Sequence, residues 1–455
     1  MQTKLTFLGG AGTVTGSKFL INDGDKQWLV DCGLFQGLRK LRRRNWETFP
    51  IAPDTIDGVF LTHAHLDHSG YLPVLVQRGF RGPVYCSVAT RDLCGILLSD
   101  SGYLQEREAE HANRHAYSRH HPAKPLYTKE HAEAAMDLFE PVQFGRSIDL
   151  TPSSQVQFVP AGHILGAGII RFSLSNGHSI VFSGDLGRPG SSTMPDPTII
   201  RKADYLVVES TYGNRQHDHT PALEALASAI NQTVERGGTL LIPSFAVGRA
   251  QWLLHALWTL KRENKIGHVP IFLDSPMAIN ASDIFCEHSG DHRLTPAECR
   301  AACSVATYVR ETEGSKELGT NAMPKIIISA SGMATGGRIL HHLKHYLPDA
   351  RNTVLFAGFQ AAGTRGAKLV DGARVARIHG KDIPVEAEVD KLDMLSAHAD
   401  ADEILDWLSH FEQPPRKTFI THGEPSASQA LRERIELELG WSCQIPELGE
   451  MAQLT

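Results

Sequence analysis

No apolar run in this chain approaches the length that crosses a bilayer. The opening Met1-Gln2-Thr3-Lys4-Leu5-Thr6-Phe7-Leu8 reads as a strand, with no charged leader and no long apolar core of a signal peptide. Residence in the cytoplasm is the expectation. Cysteine is scarce: the seven present are an odd number without a Cys-x-x-Cys pair, which argues against a disulfide framework and a thiolate zinc site. Buried free thiols are expected, and Cys299 and Cys303, one helical turn apart, are read as helix spacing before a shared metal. Positive charge is not in excess either. With 45 Lys and Arg against 51 Asp and Glu the net charge is -6, so any affinity for nucleic acid has to be local. What the chain has in quantity is histidine, 23 residues, several in tight groups.

At 455 residues two domains are the natural expectation. Up to about residue 210, short β runs follow one another (Leu5 to Leu8, Lys18 to Ile21, Trp28 to Asp31, Val59 to Thr62, Val156 to Pro160, Ile169 to Leu174, Ser179 to Gly184, Tyr205 to Glu209). Helical patterns intervene at Tyr71 to Arg78 and from Val88 towards Tyr117. After Thr211, helices such as Pro221 to Glu235 and Gly248 to Lys261 alternate with strands at Thr239 to Ile242, Val269 to Leu273, Lys325 to Ser329 and Thr353 to Phe356. That rhythm predicts a mostly parallel sheet in a separate domain. From about 385 the strands and helices again end in histidines, so residues 385–455 are expected to complete the first domain, 1–210, around an insertion at 211–384.

The strongest chemical signal is His63-Ala64-His65-Leu66-Asp67-His68, between the apolar strand Val59-Phe60-Leu61-Thr62 and a helix-like segment. In extended backbone residues two apart point the same way, so His63 and His65 can grip one ion, while Asp67 and His68 are aimed at a second point where the chain turns. Imidazole and carboxylate donors suit zinc, with manganese a weaker fit. Three further strand ends deliver a ligand-type residue beside glycine: His163 after Pro160-Ala161-Gly162, Asp185 after Val181-Phe182-Ser183-Gly184, and His422 before Gly423. His111, His115, His120 and His121 lie in a polar stretch and are read as surface.

This set resembles the metallo-β-lactamase superfamily, with Asp31, His63 to His68, His163 and Asp185 as its successive motifs. Glu209-Ser210-Thr211-Tyr212-Gly213, Ser396-Ala397-His398-Ala399-Asp400 and His422-Gly423-Glu424 resemble those of its β-CASP ribonucleases, a group that includes mRNA 3′-end-processing endonucleases. The resemblance extends into the insertion through Asp274-Ser275-Pro276-Met277-Ala278 and Ser331-Gly332-Met333-Ala334-Thr335-Gly336-Gly337-Arg338. It implies an α/β chain, an αββα sandwich with a βαβ β-CASP domain inserted and the active site in the cleft between them. It implies two zinc ions, one on His63, His65 and His163, the other on Asp67, His68 and His422, with Asp185 bridging and Asp31 behind. His398 would be the general acid, oriented by Glu209, for hydrolysis of single-stranded RNA that leaves 5′-phosphate and 3′-hydroxyl ends. The relatives' loop matching Ser331 and Gly332 holds RNA phosphates, and Ser396 is counted with it.

The stretch from Ser329 to Gly337 links a strand to a helix and offers hydroxyls and backbone N–H groups to a phosphate, against the plain reading of a βα loop. Arg249, Arg338 and Arg365 follow similar loops; phosphate contact and simple solvation both stay open for them. Gly9 to Gly16 is glycine-rich but leads into a strand, which removes a dinucleotide-binding reading. The run Arg39-Lys40-Leu41-Arg42-Arg43-Arg44 is either a solvated helix face or a basic patch that steers RNA. DNA processing is the nearest alternative activity, disfavoured because DNA-directed relatives usually carry valine where this chain has His422. A small-molecule hydrolase is disfavoured by so large an insertion, and a non-catalytic subunit by the full ligand set. A homodimer through the β-CASP face has no sequence feature in its support.

Overall fold

The computed structural model describes residues 3–115, 118, 120–218, 220–358, 360–361 and 363–455. Two compact units emerge, Met1–Gln216 with His398–Thr455, and His217–Ala397. The first contains two seven-stranded sheets. One runs Met451–Gln453, Lys4–Phe7, Phe19–Asp23, Lys26–Val30, Gly58–Phe60, Val84–Ser87 and Phe139–Val142. The other runs Cys443–Gln444, Lys417–Thr421, Tyr205–Glu209, Ser179–Phe182, Gly168–Ser173, Ser154–Pro160 and Ser147–Thr151. Alternation along each strand sends one set of side chains between the sheets, where Phe7, Phe60, Phe158, Phe172, Phe182 and Phe419 form one core. Phe7 meets Phe419 at 5.1 Å between centroids and Phe60 meets Phe172 at 4.9 Å, each pair crossing from one sheet to the other.

Helices cover the outer faces, completing the αββα arrangement. Val88–Arg114 packs on Val84–Ser87 and Phe139–Val142, and Pro425–Arg434 on Lys417–Thr421. The first of these starts where Ser87 accepts the Thr90 N–H at 3.1 Å, an N-cap of the usual kind. Its expected extension to Tyr117 lies outside the described residues.

In the second unit a six-stranded sheet is parallel throughout, in the order Thr307–Tyr308, Ile271–Leu273, Lys325–Ser329, Thr239–Pro243, Thr353–Phe356 and Glu388–Lys391. Both faces are buried, as parallel sheets require. Leu240, Ile242, Ile326 and Ile328 pack with Leu253, Leu257 and Leu260, while Leu241, Ile327, Val354 and Phe356 pack with Ile339 and Leu343 on the other side.

Two expectations need correction. Residues 385–455 are expected in the first domain, but Glu388–Lys391 pairs in parallel with Thr353–Phe356, Val389 opposite Val354. The insertion therefore ends after Ala397, not at residue 384, because partnership in a sheet edge is a non-local hydrogen-bonding choice. The cysteines are not all free either: Cys286 and Cys299 form a disulfide, with Cys303 Sγ 3.4 Å from Cys286 Sγ. Cys32, Cys86 and Cys94 are buried free thiols as expected.

Candidate metal centre

Every candidate donor of the first unit leaves the carboxyl end of a strand, and within each sheet those strands point the same way. Lys26–Val30 and Gly58–Phe60 are parallel, as are Ser179–Phe182, Tyr205–Glu209 and Lys417–Thr421. After Phe60 the chain runs extended through Leu61 and Thr62, places His63 and His65 on one side, and turns into the short helix Leu66–Ser69 that carries Asp67 and His68. Asp31 takes a left-handed backbone, φ 57°, and His422 does the same at φ 49°. For non-glycine residues such a conformation costs on the order of 1 kcal/mol and persists only where surrounding contacts hold it.

For Asp31 those contacts are plain. Its carboxylate accepts the Thr62 N–H at 2.8 Å and the Thr62 hydroxyl at 2.9 Å, and faces His68 Nδ1 at 2.7 Å. Pinning Nδ1 turns His68 Nε2 forward, to 3.1 Å from His422 Nε2 and 3.3 Å from Asp185 Oδ1. His422 Nε2 lies 3.3 Å from Asp67 Oδ2, which closes one group of donors. The other group is His63 Nε2, 3.1 Å from His65 Nδ1, with His163 Nε2 3.4 Å from the same nitrogen. His63 and His163 approach Asp185 Oδ2 at 3.5 and 3.6 Å. The two oxygens of Asp185 are thus divided between the groups, Oδ2 to one and Oδ1 to the other.

The electrostatics follow from crowding. Burial pushes the His63 imidazole well below the ordinary histidine range, aided by the neighbouring His68, and burial also lowers His65. For His68 burial acts downward too, but Asp185 and Asp31 outweigh it and raise the ring well above the usual value. Burial would raise Asp185, yet the charges of His422, His68 and His63 hold its carboxyl well below the normal range. The donors of each group lie within 4.8 Å of one another. Imidazole nitrogens 3.1 Å apart in a buried site, beside carboxylates and no thiolate, fit a metal cation, which neutral rings would coordinate.

Glycine permits the close approach of the supporting loops. A Cβ on Gly33 would fall within the Asp67 peptide, 2.7 Å from His68 N, and one on Gly187 would be 2.6 Å from His163 N. Gly187 also forms an isolated bridge with His398, and Ala399 N donates to Leu186 O at 2.8 Å. Glu209 accepts the Leu186 N–H at 2.5 Å and faces His398 Nδ1 at 3.2 Å, so one buried carboxylate steadies both the residue after Asp185 and the ring of His398. Burial lowers the His398 pKa, but Glu209, then Asp185 and Asp67, overcome it and raise it to about 9. The His163 and His398 rings are 4.4 Å apart.

The candidate phosphate contacts all belong to the second unit. Arg249 is buried, and a Cβ on Gly358 would meet its Nη2 at 3.8 Å and Ser396 Cα at 3.6 Å, so these two candidates are brought together. Ser331 is half-buried and bonded within its own loop to Thr335 N at 3.0 Å, with Gly332 pressed against the Phe245 ring. The helix after this loop begins at Ile339. The Arg338 guanidinium pairs with Asp274 at 2.6 Å and donates to the carbonyls of Val309 and Arg310, which makes it a brace of the loop. Arg365 likewise donates to the carbonyls of Arg377 and Ala334. Sequence reasoning overlooked Thr62, whose hydroxyl sits between Asp31 and His63 Nδ1 at 3.1 Å, and Thr211, 3.2 Å from His422 Nδ1. Both adjoin singled-out residues in sequence, Thr62 beside His63 and Thr211 in the Glu209 motif.

Three family models match the chain: the metallo-beta-lactamase superfamily over residues 11–236, the Beta-Casp domain over 250–369 and the Zn-dependent metallo-hydrolase RNA specificity domain over 382–446. The chain is 36% identical to Ribonuclease TTHA0252 of Thermus thermophilus across 97% of its own length and 98% of the relative's. It is 31% identical to Transcription termination factor FttA of Methanosarcina mazei, covering 96% of its own length and 69% of the relative's. A crystal structure of a protein of unknown function from Enterococcus faecalis shares the fold at a TM-score of 0.57 and 14% identity, with both chains covered completely. Among the described residues no helix is long and apolar enough to cross a membrane.

Proposed function

The chain belongs to the β-CASP branch of the metallo-β-lactamase superfamily, and from that premise we propose that it is a zinc-dependent ribonuclease acting on single-stranded RNA, with endonucleolytic cleavage as its mode. The observation that carries this is the division of Asp185 between two donor groups, His63, His65 and His163 on one side and Asp67, His68 and His422 on the other. Two ions fit these donors, zinc before manganese. When bound, such a pair supplies an activated water and counter-charge for the phosphoryl oxygens.

The protein's own residues do the rest. Asp31 fixes the tautomer and aim of His68, and Thr62 fixes Asp31. Glu209 keeps Nδ1 of His398 occupied, which leaves Nε2 as the end able to give a proton to the departing 3′ oxygen. Donation there yields a 3′-hydroxyl and a 5′-phosphate, with no part for the RNA 2′-hydroxyl. The test is a 5′-labelled single-stranded RNA incubated with the zinc-loaded protein and resolved by length, beside His398→Ala. Discrete internal fragments support the reading, a ladder of single nucleotides replaces endonuclease by exonuclease, and intact RNA would transfer the site to DNA or to small esters.

A further inference from the structure

The basic run 39–44 and Trp46 hold a feature that the metal centre does not use. Arg39–Arg44 forms a two-turn helix with no buried residue, and five of its six side chains are cationic. Glu47 is the one acid in the adjoining turn. Among the described residues Arg39, Lys40, Arg42 and Arg43 pair with no acid, in a chain whose net charge is -6. Immediately after the helix, Trp46 is 58% exposed, and among the described residues it is the one exposed tryptophan. Its ring stacks on no other ring or cation among the described residues. The Trp46 N–H donates to Arg43 O at 3.0 Å, so the helical turn continues and Arg39, Arg42, Arg43 and Trp46 share one side at three- and four-residue spacing.

This element is not a loose tail. The buried Asn45 side chain accepts the Phe35 N–H at 2.9 Å and donates to Phe35 O at 2.8 Å, and Arg44 lies over the Phe35 ring at 5.4 Å. The loop from Asp31 to Phe35 is in turn bonded to the donor turn, Cys32 N to His68 O at 2.7 Å and Leu34 N to Leu66 O at 2.8 Å. The helix is therefore anchored, through one loop, to the backbone of Leu66 and His68, either side of Asp67. An uncompensated row of cations beside an exposed indole is the combination that tracks a single strand, cations on phosphates and a ring under a base. A bilayer fits less well, since the helix is two turns long and has no apolar face.

We propose that Arg39, Arg42, Arg43 and Trp46 form a docking site for single-stranded RNA, the arginines on the backbone and Trp46 stacked on one base; the choice of RNA rests on the ribonuclease reading. Binding of a 5′-fluorescein oligoribonucleotide is followed by anisotropy against salt, in zinc-loaded protein carrying His398→Ala. The triple change Arg39→Ser, Arg42→Ser and Arg43→Ser is expected to flatten the salt slope by about 2, at roughly 0.7 per lost contact. A triple lysine variant restores the slope. Trp46→Ala is expected to weaken binding about 5- to 150-fold with the slope unchanged. In the otherwise wild-type protein all three variants hydrolyse bis(p-nitrophenyl) phosphate at the parental rate, showing the centre intact. Unchanged RNA affinity and slope in both variants overturns the proposal, as does loss confined to anionic vesicles. RNA bound through the patch but never cut would sink the ribonuclease reading and leave the docking site standing; RNA cut without dependence on the patch does the reverse.

Discussion

Replacing His398 separates an acid from a ligand. The ring touches Glu209 at 3.2 Å, is 18% exposed at its side chain, and belongs to neither donor group built on His63 or His68. His398→Ala should therefore retain both metals. A positioned general acid contributes on the order of 10²–10⁴-fold, which at about 1.4 kcal/mol per decade amounts to about 3–5 kcal/mol of barrier. That loss is expected for RNA, whose departing alkoxide is a strong base. With bis(p-nitrophenyl) phosphate the departing phenolate is a weak base that leaves without help, and the loss should stay below about tenfold. The two substrates diverge only if the missing group is a proton donor. The assay is kcat for both, with zinc counted by atomic emission and folding checked by thermal melting, since Glu209 keeps its Leu186 N–H partner but loses its ring. Equal losses on both substrates, or loss of zinc, refute the assignment.

Glu209→Gln removes the charge that raises His398 to about 9. The acid works only while protonated, below its pKa, so the alkaline limb of the kcat profile should move to lower pH; an unmoved limb places the control elsewhere. Asp31→Asn should weaken metal at the Asp67, His68 and His422 group about 10–100-fold while sparing the other, read by stepwise chelation. Gly33→Ala drives a methyl into the Asp67 peptide and should cost at least the 1–3 kcal/mol typical of overpacking, measured by denaturant unfolding. In the second unit Asp274 is fully buried between His342, Ser315 and Arg338, and Asp274→Asn should destabilise by about 3–5 kcal/mol. Burial raises its carboxyl, but hydrogen bonds from His342, Ser315 and Arg338 bring it below the usual value. Its stabilisation is accordingly full above about pH 4 and fades as pH falls through the lower folded value, a loss that the Asn variant should not show.

Local pattern carries local structure. The alternation of the strands, the helix-strand rhythm of the insertion and the grouping of His63, His65, Asp67 and His68 depend on residues close together in the chain, so they are legible in the sequence. The second boundary could not, because Glu388–Lys391 is a short strand whose identity depends on the edge it joins. Arg338 and Arg365 illustrate the same limit: a guanidinium after a glycine-rich loop looks available until Asp274 or a carbonyl from another element claims it.

The sequence by itself determined the elements, the kinds of donor and the strand ends from which they project. Tertiary structure alone decided that the two oxygens of Asp185 face different histidines, that Glu209 reaches His398 across 189 residues and His422 reaches His68 across 354, and that Cys286 lies beside Cys299. The reason is range. Backbone periodicity acts over a few residues, whereas contacts a few ångströms long between distant segments exist only once two sheets have packed and their strand ends converge.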